Sequence, residues 1–125
     1  MNNVPLLNNG ESAVPAGSVI RSYTKLRVTA VSPAIPIGNG DTLIFLPSRP
    51  TKKHRGCRIT VTSMEVDRMP VDKVSPHQAC GIELGCSCSE LPQPGDLVYI
   101  VRPEMTANES SNPPLAFGSD NDGAC

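Results

Sequence analysis

Proline and glycine recur too often in this chain for long regular elements to survive. Thirteen Pro and ten Gly are spread through 125 residues, against a usual combined share of about 12 per cent. Proline inside a helix removes a hydrogen bond and clashes with the preceding turn, so an all-helical bundle is excluded. Between these breakers the apolar residues come in short runs bounded by turn formers, the pattern of an all-β domain. Two Phe, two Tyr and no Trp require an aliphatic core and leave few aromatic platforms for stacking single-stranded nucleic acid.

The runs are Ser18 to Tyr23, Leu26 to Ser32, Thr42 to Leu46, Cys57 to Met64, a short bent segment over Val66 to Val71, Ala79 to Leu84 and Asp96 to Val101. Leu26, Val28 and Ala30 alternate with Arg27, Thr29 and Val31, and Cys57, Ile59 and Val61 alternate with Arg58, Thr60 and Thr62, as expected of half-buried strands. The Thr42 to Leu46 run is apolar on both faces, which predicts burial on both sides. Six or seven such strands predict a small closed barrel, and closure would remove exposed edges. Gly40-Asp41 and Gly95-Asp96 each open a strand, the glycine supplying turn geometry and the Asp accepting backbone hydrogen bonds. Residues 1–16 and 104–125 are rich in Asn, Ser, Gly and Pro and show no period, so the expected organisation is a barrel over 17–103 between two disordered tails.

No apolar run approaches the ~18 residues of a membrane span, and no basic region followed by an apolar stretch opens the chain. The expectation is a cytoplasmic protein with no membrane partner. Five cysteines, an odd number without a secretory signal, favour reduced thiols over a disulfide framework. Residues 17–103 hold all 11 Lys and Arg but only seven of the 12 Asp and Glu. The domain is therefore modestly basic, and the ends are acidic.

Phosphate-loop, dinucleotide, zinc-protease and nucleophile-elbow signatures are all missing, and His54 and His77 stand in turn-rich segments with no nucleophile beside them. Neither catalytic residues nor a cofactor are predicted, and the chain reads as non-enzymatic. His77, Cys80, Cys86 and Cys88 have donor types that suit zinc, but structural sites usually present two close pairs on separate turns, so no metal is predicted. The basic loop is the clearer feature. Arg49, Lys52, Lys53, Arg55 and Arg58 place five fixed positive charges in ten residues, with His54 among them and no acid. Such a cluster can neutralise several phosphates, and each contact steepens the salt dependence of binding.

The segments GSVIRSYTKLRVTAVSP, NGDTLIFL, VTSMEVDRMPVDKVSPHQACGIEL and PQPGDLVYIV together resemble domain two of the translation elongation factor Tu superfamily, above all its small stand-alone elongation-factor-like members. The resemblance covers about residues 17 to 102 and implies a barrel of that type. In the elongation factors this domain contributes to the pocket for the aminoacylated end of tRNA. By resemblance, Glu65 and Arg68 of MEVDRM match pocket residues, while Gln78 stands where the family has an acid. The GTPase domain has no counterpart here. PVDKVSPHQ is also similar to the C-terminal barrel of collagenase-like peptidases and related RNA-hydroxylation proteins, which implies an accessory, substrate-holding module. Two readings follow. The first is a module contacting RNA (tRNA or rRNA) or a ribonucleoprotein through the basic loop. The second is an accessory protein-interaction or substrate-holding subunit of a collagenase-like peptidase or RNA-modification enzyme.

Overall fold

The computed structural model describes residues 6–51 and 55–103. Lys52, Lys53, His54 and the 104–125 tail lie outside them. Among the described residues ten strands follow one another without a helix: β1 (Glu11–Tyr23), β2 (Val28–Pro33), β3 (Ile37–Gly38), β4 (Thr42–Leu46), β5 (Cys57–Thr60), β6 (Met64–Val66), β7 (Met69–Val71), β8 (Lys73–Val74), β9 (Cys80–Glu83) and β10 (Leu97–Pro103). Eight form one curled sheet in the order β5-β4-β10-β1-β2-β9-β6-β7, and β3 pairs with β8 in a separate ribbon.

The all-β class holds, but the closed barrel of six or seven strands does not form. The run Cys57 to Met64 divides instead. β5 ends at Thr60, residues 61–63 pass from one edge of the curled sheet to near the other, and β6 begins there beside β9 and β7. Edges β5 and β7 share no ladder, so the sheet is a half-barrel. Its concave side is filled by Leu43 and Phe45 of β4, Ile59 of β5, Met64 of β6, Ile82 of β9, and Val98 and Ile100 of β10, all buried in one cluster. The β3–β8 ribbon adds buried Ile37 and Val74 to that cluster. Asn39 N–H to the Asp72 carbonyl (2.9 Å) extends the ribbon by one pair, and Gly40 N–H to the Val61 carbonyl (2.8 Å) ties it to the segment after β5. Leu43, Ile44 and Phe45 are all buried, as the two-faced apolar run of β4 requires.

β1 starts at Glu11, inside the segment expected to be a disordered tail, and its first half pairs with β10 from Glu11↔Pro103 to Pro15↔Tyr99. Pro15 is tolerated because the β2 ladder begins only at Gly17↔Pro33, leaving the first half of β1 with one free side, where a missing N–H costs nothing. The registers shift at Ala16 and again at Ile20. Each extra residue bends the strand and increases its twist, which lets one 13-residue strand serve two neighbours.

The two Gly-Asp turns are built alike. Gly38 N–H donates to Asp41 Oδ2 (2.7 Å) and Asp41 N–H to the Gly38 carbonyl. Gln93 N–H likewise donates to Asp96 Oδ2 (2.9 Å) and Asp96 N–H to the Gln93 carbonyl. Gly40 and Gly95 sit at φ of +93° and +89°, a conformation that L side chains rarely adopt. The flanking groups then pair reciprocally with Val61 in one turn and Val19 in the other. The turns differ in depth, for Asp96 is only 2% exposed and also accepts from Ser48 N–H (3.1 Å).

Candidate functional site

The basic loop and the outer face of the sheet differ in how far their side chains are committed. Cys57, at the start of β5, forms a disulfide with Cys88 across 31 residues of sequence, with Cα atoms 5.6 Å apart. The bridge departs from the expected reduced thiols, and the reason is spatial: β5 and the segment after β9 meet only through the curl of the sheet. Arg27 fixes the same segment by donating from Nε to the Gly85 carbonyl (2.8 Å) and from Nη2 to the Cys88 carbonyl. With the Cys88 sulfur bonded to Cys57, the His77, Cys80, Cys86 and Cys88 set cannot assemble around a metal. Among the described residues no three His, Cys, Asp or Glu side chains form a metal-sized group.

Of the basic-loop residues, Arg49 and Arg55 are exposed, while Lys52 and Lys53 lie outside the described residues. Arg58 is engaged. Its Nη1 and Nη2 donate to Glu11 Oε1 (2.7 Å) and Oε2 (2.9 Å), and Nη1 also reaches the Leu6 carbonyl (2.9 Å). A bidentate pair of this kind holds both groups in one geometry. The hydrogen bond from Arg58 holds the Glu11 carboxyl below the usual glutamate range, and Glu11 raises Arg58 in turn.

The outer face of β2, β9 and β6 presents an open groove of about 400 Å³ lined by Tyr23, Leu26, Val28, Ala30, Glu65 and Arg68, with Asp67, Ala79, Cys80 and Gly81. β2 is apolar on both faces: Thr29 and Val31 turn into the core, so Val28 and Ala30 must face outward. Leu26 and Tyr23 remain 68% and 44% exposed. Tyr23 is held from one side by the Arg21 guanidinium, 6.0 Å from its ring centre, within cation–π range. Glu65 comes from the middle of β6. Asp67 and Arg68 form the β6–β7 turn at φ of 53° and 67°, the two positive values of the tight hairpin turn that suits strand twist. Non-glycine residues in this region carry strain of order 1 kcal/mol each, and such strain clusters at binding sites. Burial pushes the Cys80 thiol up to about 11, which keeps it neutral beside the groove.

The structure thus brings Glu65 and Arg68 onto one groove. Gln78 lies outside its lining, and its Oε1 instead accepts from Ser75 N–H (3.1 Å) to close a turn. Sequence reasoning missed Tyr23, Leu26, Val28 and Ala30 as a surface; the available signal was the apolar character of both faces of β2. A second depression of about 670 Å³ lies between β1 and residues 89–94, and two of its polar side chains, Ser22 and Arg27, already serve the fold. Ser22 Oγ meets Thr29 Oγ1 (2.7 Å) and donates to the Pro92 carbonyl (2.6 Å), and Arg27 is committed as described.

No protein-family model matches the sequence, and no curated protein matches it either. Among solved structures, two crystal structures of the C-terminal domain of a Geobacillus thermoleovorans protein described as a U32 peptidase are similar in fold. One, a selenomethionine variant, superposes with a TM-score of 0.56 at 13% identity over 67% of this chain and 95% of that domain. The other gives 0.58 at 12% identity over 70% of this chain and 91% of that domain. At such identities the likeness is one of fold alone. The fold is thus shared with a peptidase C-terminal domain, and neither neighbour is described as an elongation factor.

Proposed function

We propose that this chain is a non-catalytic accessory module that docks on, or holds the substrate of, a partner polypeptide through the outer groove of β2, β9 and β6. The observation that carries the reading is that apolar side chains stand exposed beside the outer sheet face: Leu26 of the β1–β2 turn and Tyr23 at the end of β1 project next to Val28 and Ala30, with the buried core behind them. An exposed apolar surface rimmed by polar groups is the mark of an interaction site. The shared fold with a peptidase C-terminal domain is consistent with a module that works beside a catalytic unit, although fold alone does not assign function. The RNA reading rests on Arg49, Lys52, Lys53 and Arg55, since Arg58 is held by Glu11. The Cys57–Cys88 bridge persists only in oxidising surroundings, so the oxidised form belongs to such a compartment and a cytoplasmic form would be reduced.

Affinity capture tests the proposal. A stoichiometric protein partner should be retained after nuclease treatment and lost on Leu26→Asp, with Arg49→Gln/Arg55→Gln retaining it. Associated material that vanishes with nuclease and with the arginine substitutions would transfer the function to the basic loop and RNA.

A further inference from the structure

The groove is laid out in two rows across the sheet. In the first, Ala30 of β2 stands opposite Gly81 of β9, and Gly81 stands opposite Glu65 of β6. In the second, Val28 stands opposite Glu83, whose N–H donates to the Ser63 carbonyl (3.1 Å). Alternate residues of a strand share a face, so both rows lie on the outside of the sheet. Each starts from an apolar side chain on β2 and reaches a carboxylate.

Gly81 keeps the floor between them open, because a Cβ there would stand only 3.1 Å from Val28 Cγ1. The groove continues past Leu26, Val28, Glu65 and Gly81 into a smaller depression of about 190 Å³ that adds Ser63 and Glu83. Among the described residues this end holds two carboxylates and no cation, whereas Asp67 and Arg68 stand at the other end. Among the described residues, the Glu65 and Glu83 carboxylates make no ion pair or side-chain hydrogen bond.

Resting on the accessory-module reading, the geometry points to a partner segment that presents a lysine or arginine to this groove. Its methylene stem lies over Val28, Ala30 and Gly81, and its cationic head reaches Glu65 and Glu83. Lysine and arginine are the side chains that combine an apolar stem with a charged end, and the rows offer that sequence of surfaces in that order. Phosphate groups are disfavoured at the same end by the paired carboxylates. The basic chemistry of the occupant therefore separates it from nucleic acid.

The probes are the capped peptide acetyl-Gly-Leu-Arg-Leu-Gly-amide and its citrulline analogue, which keeps the shape and removes the charge. Both are titrated to millimolar concentration against the full chain while backbone amide NMR shifts are followed. The arginine peptide should move the amides of Ala30, Gly81 and Glu83, weaken with added salt, and bind about tenfold more tightly than the citrulline peptide. Glu65→Gln/Glu83→Gln should erase that preference without altering the spectrum elsewhere, since both side chains are exposed. Equal binding of the two peptides, no binding of either, or shifts confined to Arg49 and Arg55 would overturn cation recognition. If a natural partner is still captured in a Leu26-dependent manner in that event, the accessory-module reading stands without it.

Discussion

At the β5 end of the sheet, Cys57 is tied to Cys88 and Arg58 is gripped by Glu11. At the β6–β7 end, two three-residue strands turn through Asp67 and Arg68 at positive φ, and the neighbouring face leaves Leu26 and Tyr23 exposed. The first end shuts a half-barrel that hydrogen bonds fail to close. The second is braced by no covalent or ionic link among the described residues, and Pro70 at its edge discourages another strand from pairing there. A partner would approach the face of this end rather than its edge. If stability and recognition are carried by opposite ends of one sheet, substitutions should separate them.

The largest separation should come from the disulfide. Cys57→Ser/Cys88→Ser should lower unfolding stability by about 2–4 kcal/mol, as expected for removing a native cross-link, and urea denaturation of wild type and variant without reductant reads it. Groove binding by the surviving folded fraction should be unchanged. Next comes the contrast between the two turns. Asp96→Ala removes the buried carboxylate that accepts from the Ser48 and Gln93 N–H groups and should cost about 2–3 kcal/mol. Asp41→Ala, in a more open turn, should cost about 1 kcal/mol. Equal costs would mean that depth of burial does not distinguish the turns.

At the other end, Leu26→Asp should abolish partner capture while moving stability by less than about 0.5 kcal/mol, because an exposed turn residue has little to lose. The smallest effect belongs to the Glu11–Arg58 pair. The Glu11 carboxyl is lowered in the folded state by Arg58, so its contribution is present above the ordinary glutamate range and is lost as pH falls through the lowered value. For a partly exposed pair this amounts to less than about 1 kcal/mol. Wild type and Glu11→Gln should therefore converge in stability at low pH, and a gap that persists there would show that the carboxylate charge is not the cause.

The local signals in the sequence lead to local structure. Gly40-Asp41 and Gly95-Asp96 form the turns their chemistry demands, and the two-faced apolar run of β4 is buried on both sides. Glu65 and Arg68, paired by resemblance, line one groove. What the sequence withheld depends on distant pieces of chain. Whether β5 meets β7 is a matter of register across the whole sheet, and no residue in Cys57 to Met64 marks the crossing at 61–63. Cys57 and Cys88 become neighbours only once the sheet curls. The Glu11 to Ala16 half of β1 carries a proline and little periodicity, and it is a strand because β10 offers a matching edge. The Asp67-Arg68 hairpin was obscured because neither residue is the glycine or asparagine that such turns favour. The groove was hidden for a related reason: Val28 and Ala30 look like core residues until Thr29 and Val31 are seen to fill the core.

The most direct test of the central claim is a benzophenone-bearing residue placed at position 26 in one variant and at position 55 in another, irradiated in the native cell and treated with nuclease. The account predicts a single polypeptide adduct from position 26 and none of that mass from position 55. Nucleic-acid adducts from position 55 together with silence at position 26 would contradict it.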